Sequence, residues 1–418
     1  MLNNYNIEFP PLFKWQQDVF DDIKAAEGTS VTFTVKAKRQ VGKSCLAVDA
    51  LLYFAFKNDG SIGYLVEPTL AQSRRVFKQL IRAVGGEESE IIKSSNSTLL
   101  EVEFINGSAI IMKSAEQREA LRGATVKNSI LVIDEGAYID DDIYFILDPI
   151  VDATKSLVLI ISTPLFRNGE FYERYKRGTE NNPFVVSYDW SKYDTSALLT
   201  SEKLEYYRET MAPLKFKSEI LGEFIDEGSY IFGNFTKCVN PDSYKLGKPA
   251  YCGIDWGAGD GGNSTVLTFI TKERQVTECL SYKDFDSTDL IDIIADEILS
   301  RGVERVEVEK NSIGKVFYDM LKKKLPAGLI KLFITTNDSK REIIEELIKA
   351  FQKEMIVIPD DPTLKKQLQH YAMEKTKTGY TFNGADGVED DYVMSLAFAY
   401  DLCPKVDKPH KKPSFGFA

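Results

Sequence analysis

The chain has 418 residues, 43% of them hydrophobic and 28% charged, which is globular composition and a length for two or three domains. Its 52 Lys and Arg face 63 Asp and Glu; the net charge of −11 argues against a general positive coat for membranes or nucleic acids, though not against a local basic groove. No apolar run approaches a membrane span, the N-terminal segment lacks a basic-then-apolar secretion signal, and five cysteines without CxxC spacing beside two histidines point to reduced thiols rather than a zinc site.

In chain order, Trp15-Gln16 comes first. An aromatic–Gln pair can stack on adenine and read its edge, and it can equally be part of an amphipathic helix with Trp in the core. VTFTVKA (31–37), SIGYLVEP (61–68), SILVID (129–134) and SLVLIIST (156–163) are continuous apolar runs, the pattern of parallel strands covered on both faces. Asn106-Gly107 between two extended runs predicts a hairpin. From 165 to 230 aromatic and charged residues crowd at helical spacing with no apolar strand, which predicts a small helical subdomain. A second α/β pattern starts at Ala250. Three strands (YCGIDWG, STVLTFIT, QVTECLSY) read as an antiparallel meander, followed by helix, strand VERVEVE, helix, strand IKLFITT and helix. A short strand MIVIP, another helix, a hairpin around Asn383-Gly384 and the apolar helix DDYVMSLAFAY complete the pattern. The expected division is 1–164 and 165–230 for the first half, 231–402 for the second, and a flexible tail over 403–418.

Chemistry concentrates in two places. Ala37-Lys38-Arg39-Gln40-Val41-Gly42-Lys43-Ser44 follows a buried strand and precedes a helix, matching a phosphate loop with Ala for the first Gly. Its backbone N–H groups and helix N-terminus suit phosphate oxygens, with Lys43 on the outer phosphates and Ser44 on magnesium. Asp134 ends a buried strand, where open α/β sheets bind ligands, and would hold the same magnesium; Glu135 would orient and deprotonate the attacking water. Ser162 and Thr163 lie where a γ-phosphate sensor would sit. In the second half, Asp255 and Glu309 end strands, and Asp390 and Asp391 open the last helix. Carboxylates so placed suit two divalent ions, Mg2+ or Mn2+, for phosphodiester hydrolysis. An Asp on the first strand of a meander, a Glu on the fourth strand and an Asp on a late helix is the ribonuclease H-like plan. Consecutive helical residues point about 100° apart, so Asp390 and Asp391 cannot face the metals equally.

A nucleotide-hydrolysing sheet followed by a ribonuclease H-like nuclease resembles the large terminase subunit of tailed bacteriophages. The resemblance spans roughly residues 10–402 and rests on KAKRQVGKS, YLVEPTLAQSRR, ALRGATV, ILVIDEGAYI, ISTP, FKSEILGEF, GIDWG, VEVEKNSIG, TTNDSKREIIEEL and EDDYVMSLAFA in family order. It implies a P-loop (ASCE/RecA-like) ATPase, a helical linker subdomain and a ribonuclease H-like nuclease. It also implies ATP with magnesium, double-stranded viral DNA as substrate, and portal, procapsid and small terminase subunit as partners. A homo-oligomeric ring in the host cytoplasm follows from the same likeness. By resemblance Arg39 is the loop arginine, Gln16 the adenine-contacting glutamine, and Arg122 an arginine presented to a neighbouring subunit's nucleotide. Gln40 and Gly42 belong to the loop, Ser162 and Thr163 to the coupling motif. Glu389 stands where relatives often carry His. Two other readings compete: a helicase–nuclease of DNA repair, which would need a second RecA-like domain that 165–230 is too short to supply, and a portal-docking subunit with vestigial sites.

Overall fold

The computed structural model describes residues 11–226, 230–233, 235–257, 264–283, 287–310, 314–376 and 379–404. It divides into two compact units, 1–229 with 374–380 and 230–373 with 381–418.

The first unit opens with α1 (Lys14–Ala25), then β1 (Thr32–Lys36), α2 (Lys43–Lys57), β2 (Ile62–Glu67) and α3 (Leu70–Ala83). A three-stranded antiparallel wing follows, β3 (Ile92–Asn96), β4 (Glu101–Phe104) and β5 (Ala109–Ser114), with Asn106-Gly107 at the expected turn between the last two. Next come α4 (Arg118–Arg122), β6 (Ile130–Asp134), α5 (Asp141–Thr154), β7 (Leu157–Ser162) and α6 (Gly169–Thr179). The unit closes with β8 (Val185–Asp189), α7 (Ser201–Thr210) and a short α8 (Pro213–Lys215) that widens into a π-helical turn over 216–221. The eight strands form one sheet in the order β3-β4-β5-β2-β6-β7-β1-β8.

Each central strand sends alternate residues to opposite cores. Val35, Leu65, Val132 and Leu159 pack with α1, α2 and α3, while Val66, Ile133 and Ile160 pack with Leu121, Ile143, Leu147 and Phe171 of α4–α6. That two-sided burial is why these strands read as unbroken apolar runs. One strand departs from the expectation. β8 lies within 165–230, where no strand is predicted, and pairs parallel with β1 as the sheet edge. Its residues are half-exposed or exposed, so it lacks the apolar signature of a buried strand.

The middle of α2 holds one misfit, Asp49, which is 3% exposed and has one carboxylate oxygen without a hydrogen-bond partner. Burial pushes its carboxyl up to about 7. A raised acid favours the fold fully below its unfolded value near 4, and that contribution is lost as pH rises through about 7. The penalty above that window is on the order of 2–4 kcal/mol. Asp49→Asn is therefore expected to melt several degrees above wild type at pH 8 and close to it at pH 5. Equal shifts at both pH values in thermal melts would contradict this assignment.

The second unit contains β9 (Tyr251–Asp255), β10 (Thr265–Ile270), β11 (Val276–Tyr282), α9 (Ser287–Arg301), β12 (Arg305–Glu309), α10 (Gly314–Lys324) and β13 (Ile330–Phe333). These are followed by α11 (Asn337–Gln352), α12 (Pro362–Gln369), the ribbon β14 (Tyr371–Thr376) and β15 (Gly379–Gly384), and α13 (Asp391–Asp401). The sheet order β11-β10-β9-β12-β13, antiparallel across the meander and parallel from β9 to β13, is the ribonuclease H-like arrangement. α9 and α10 bury one face through Cys252, Ile254, Val306, Val308, Ile294 and Leu321. α13 lies on the other face, so close that a Cβ on Gly253 would meet the Ser395 carbonyl at 2.1 Å.

Two local expectations are corrected. MIVIP is not a strand: Val357 and Ile358 make only isolated bridges, to Gln275 and Val239. Asn383-Gly384 is not a turn but the end of β15, and neither residue has the positive φ that an Asn-Gly turn requires. The turn joining β14 to β15 and the tail from 405 onward lie outside the described residues. Among the described residues, no helix is long and apolar enough to cross a membrane.

Candidate active sites

In the first unit the parallel strands β1, β7, β6 and β2 deliver their carboxyl ends to one edge of the sheet. β7 is inserted between β1 and β6, so Thr163 falls between the phosphate-loop lysine and the acids. The loop from Ala37 to Ser44 turns on two left-handed residues, Gln40 (φ 61°) and Gly42 (φ 83°). Gly42 is required twice over, because a Cβ there would lie 2.5 Å from Gln16 Nε2. The loop is held from behind by α1. Trp15 Nε1 donates to the Val41 carbonyl (3.1 Å) and Gln16 Nε2 to the Gly42 carbonyl (2.9 Å), while Gln16 Oε1 accepts from Phe13 N (2.8 Å). Both residues are buried, so Trp15 takes the core position, and both ends of the Gln16 amide already serve the chain.

The chemical groups meet closely. Ser44 Oγ donates to Asp134 Oδ2 at 2.9 Å, and Lys43 Nζ pairs with Glu135 Oε1 at 2.9 Å. Thr163 Oγ1 donates to Glu135 Oε2 at 3.1 Å. Glu135 itself sits in the left-handed region (φ 51°). Ser162 turns away from this group: its Oγ accepts from Ala137 N at 3.0 Å. Arg39 leans outward onto the π-helical turn, its guanidinium 2.6 Å from Glu219. Gln40 is exposed at the loop tip, beside a cavity of about 250 Å3 that also borders Leu198, Tyr207 and Met211. Arg122 is not brought to the site. It is exposed at the end of α4 and pairs with Glu119.

One participant was not anticipated. Glu67 ends β2 one step beyond the Val66–Ile133 pair, and so stands beside Asp134, at 2% exposure. Burial, with Asp134 and Glu135 nearby, holds its carboxyl far above the usual range; burial and Glu135 likewise raise Asp134. Three crowded acids next to a serine hydroxyl are a donor set that magnesium fits, since a divalent cation relieves their repulsion.

In the second unit Asp255 ends β9 and Glu309 ends β12, adjacent by the Ile254–Val308 register. Asp391, the first residue of α13, is 5% exposed and accepts from Ser264 N at 3.1 Å. Burial raises Asp255 well above the carboxylate range, reinforced by Glu309, Asp391 and Asp390, while Lys340 opposes the shift. Burial pushes Asp391 up to about 6. Among the described residues, no three acids are already closed around one cation-sized point. The donors are nonetheless carboxylates that repel one another, the chemistry that hard divalent ions take.

The adjacent aspartates are treated differently. Asp390 makes no side-chain cap; its Oδ2 accepts from Lys340 Nζ at 3.1 Å, and the same ammonium reaches Asn383 Oδ1 at 3.0 Å. The N-terminus of α13 is satisfied instead by buried Gln367, whose Oε1 accepts from Tyr392 N at 2.8 Å. No sequence pattern marks Lys340 or Gln367; each joins the site only through the fold.

Residues 37–236 match the family described as "Terminase large subunit, T4likevirus-type, N-terminal". Terminase large subunits of Thermus phage G20c and Thermus virus P23-45 align over 413 residues at 24% and 23% identity, each covering 87% of this chain and 82% of the relative. The chain belongs to the large terminase family. Its fold over both units is that of a full-length large terminase from another thermophilic bacteriophage (TM-score 0.65, 13% identity, 94% of this chain and 99% of that one). In this large terminase the family match begins at Ala37, the first residue of the phosphate loop, so α1 and its clamp on the loop precede it.

Proposed function

We propose that this large terminase is an ATP-driven motor that moves double-stranded viral DNA into a procapsid and cuts the concatemeric genome with a metal-dependent endonuclease. The observation that carries the motor half is the meeting of Lys43, Ser44, Asp134, Glu135 and Thr163 at one sheet edge. Structures of that full-length bacteriophage terminase with ADP and with ATP-γ-S support ATP as the nucleotide. The ATPase half comprises 1–164 completed by 165–230, and the nuclease half 231–402. The portal, the small terminase subunit and a ring of copies in the host cytoplasm are the partners and setting this reading implies.

Ser44 and Asp134 would hold magnesium, which when bound supplies counter-charge to the phosphates. Lys43 must leave Glu135 to reach a phosphate, and that exchange frees the carboxylate to orient and deprotonate water. Thr163 bonds the same carboxylate and so senses its position. Gln16 and Trp15 fix the loop carbonyls outward, leaving the amides to face the nucleotide. Gln16 thereby acts on the loop in this structure; contact with adenine would use its remaining N–H.

Asp255, Glu309 and Asp391 would hold the nuclease ions, which when bound supply an activated water and charge at the leaving oxygen. Asp390, engaged by Lys340, positions rather than ligates. The test is ATP hydrolysis by the purified chain with and without duplex DNA and procapsids, alongside Mg2+- or Mn2+-dependent cleavage. Stimulated hydrolysis and cleavage are expected. A chain that docks on procapsids yet hydrolyses nothing would favour the vestigial docking subunit instead.

A further inference from the structure

α3 is the one part of the first unit whose charge runs against the rest. Residues 1–228 hold 26 basic and 34 acidic residues, yet α3, LAQSRRVFKQLIRA, has four basic residues and no acid. Ser73, Val76, Phe77, Leu80 and Ile81 face the core, and Arg74, Arg75, Lys78 and Arg82 are exposed. At about 100° per residue the four cations fall within a sector roughly 100° wide. Arg74, Lys78 and Arg82 form a straight row with a spacing of about 6 Å along the axis.

Elsewhere in the chain exposed helical bases are neutralised within their own helix: Arg208 by Glu205, Arg341 by Asp338, Lys349 by Glu346. Among the described residues, no carboxylate lies within ion-pair distance of any of the four α3 cations. An unneutralised row of positive charge on a rigid helix complements an evenly charged line of phosphates, which an acidic protein surface does not present. α3 also begins three residues after Glu67, and Arg75 is one of the cations whose field reaches that acid beside Asp134.

We propose that the exposed face of α3, through Arg74, Lys78 and Arg82, is the surface of the ATPase unit that contacts the DNA phosphate backbone. The assignment rests on the motor reading and names where that motor meets its track. A few phosphate contacts give weak, salt-sensitive, sequence-independent binding, which a sliding machine requires. Because the row starts next to the ATPase acids, DNA engaged there is placed to influence hydrolysis.

The test uses the full chain and a random-sequence duplex, with affinity measured by fluorescence anisotropy from 50 to 200 mM salt. The Arg74→Gln/Lys78→Gln/Arg82→Gln variant is expected to lower the slope of log K against log salt by roughly 2–3 and to weaken low-salt binding at least ~10-fold. Basal ATPase stays unchanged and the DNA-stimulated part is lost. The charge-retaining Arg74→Lys/Arg82→Lys variant keeps the wild-type slope, which separates charge from any effect on folding. A triple variant with the wild-type slope overturns the proposal. So does loss of procapsid stimulation alone, which would assign the face to an acidic protein partner. A wild-type chain that binds duplex with no salt dependence would instead remove the DNA-motor reading itself.

Discussion

Glu135→Gln is expected to lower steady-state ATP hydrolysis by roughly 10^2- to 10^4-fold, the range for removing a positioned general base. The amide keeps the shape of the side chain, so Thr163 Oγ1 can still donate to the carbonyl end where it now meets Oε2 at 3.1 Å. What disappears is the proton acceptor and the 2.9 Å ion pair with Lys43. Freed from Glu135, Lys43 no longer has to exchange one anion for another, so nucleotide affinity should hold or tighten a few-fold. That combination distinguishes the role assigned here from damage to the loop, which would weaken binding as well. Phosphate release under saturating ATP and titration with a fluorescent nucleotide measure the two quantities. Turnover within a few-fold of wild type would remove Glu135 as the base. Lys43→Ala gives the complementary result, with both binding and turnover lost.

The contrast between these two residues and Arg122 or Gln16 shows what the sequence reveals. Lys43, Ser44, Asp134 and Thr163 were legible because each ends or follows a buried parallel strand. Such strands announce themselves as continuous apolar runs, and the order β1-β7-β6 then brings their ends together. Gln16 was legible as a candidate, but not what it bonds, because its partner is a carbonyl 26 residues away. Glu67 was missed although it ends an equally plain strand: nothing local says that β2 and β6 are neighbours. β8 escaped because an edge strand buries too little to enforce an apolar pattern. The hairpin at Asn383-Gly384 failed for another reason. The dipeptide favours a turn only when its backbone adopts positive φ, and here Asn383 is held extended with its side chain on Lys340.

The nuclease aspartates lead to the second large effect. Periodicity could not choose between Asp390 and Asp391, since the whole helix is apolar. The fold separates them. Asp391 is buried toward Asp255, whereas Asp390 is drawn to Lys340 at 3.1 Å on α11. Asp391→Asn should lower cleavage roughly 10^3-fold or more, the equivalent of several kcal/mol of lost charge stabilisation. Asp390→Asn should cost about 10–100-fold, the usual effect of an outer partner that orients a ligand. Neither change should alter ATP hydrolysis. Lys340→Met provides a readout that does not depend on cleavage. With the tethered ammonium gone, the acids repel one another unopposed, so the melting temperature in chelator should fall. Added Mn2+ should then restore more stability than it adds to wild type, and Lys340→Arg should behave as wild type. Equal losses of cleavage in Asp390→Asn and Asp391→Asn, or a Lys340→Met variant whose Mn2+-induced shift matches wild type, would show that the two acids share one role. Lys340 would then be only a surface support for α13. The wild-type arrangement argues otherwise, because one ammonium bridges Asp390 and Asn383 while its field reaches Asp255.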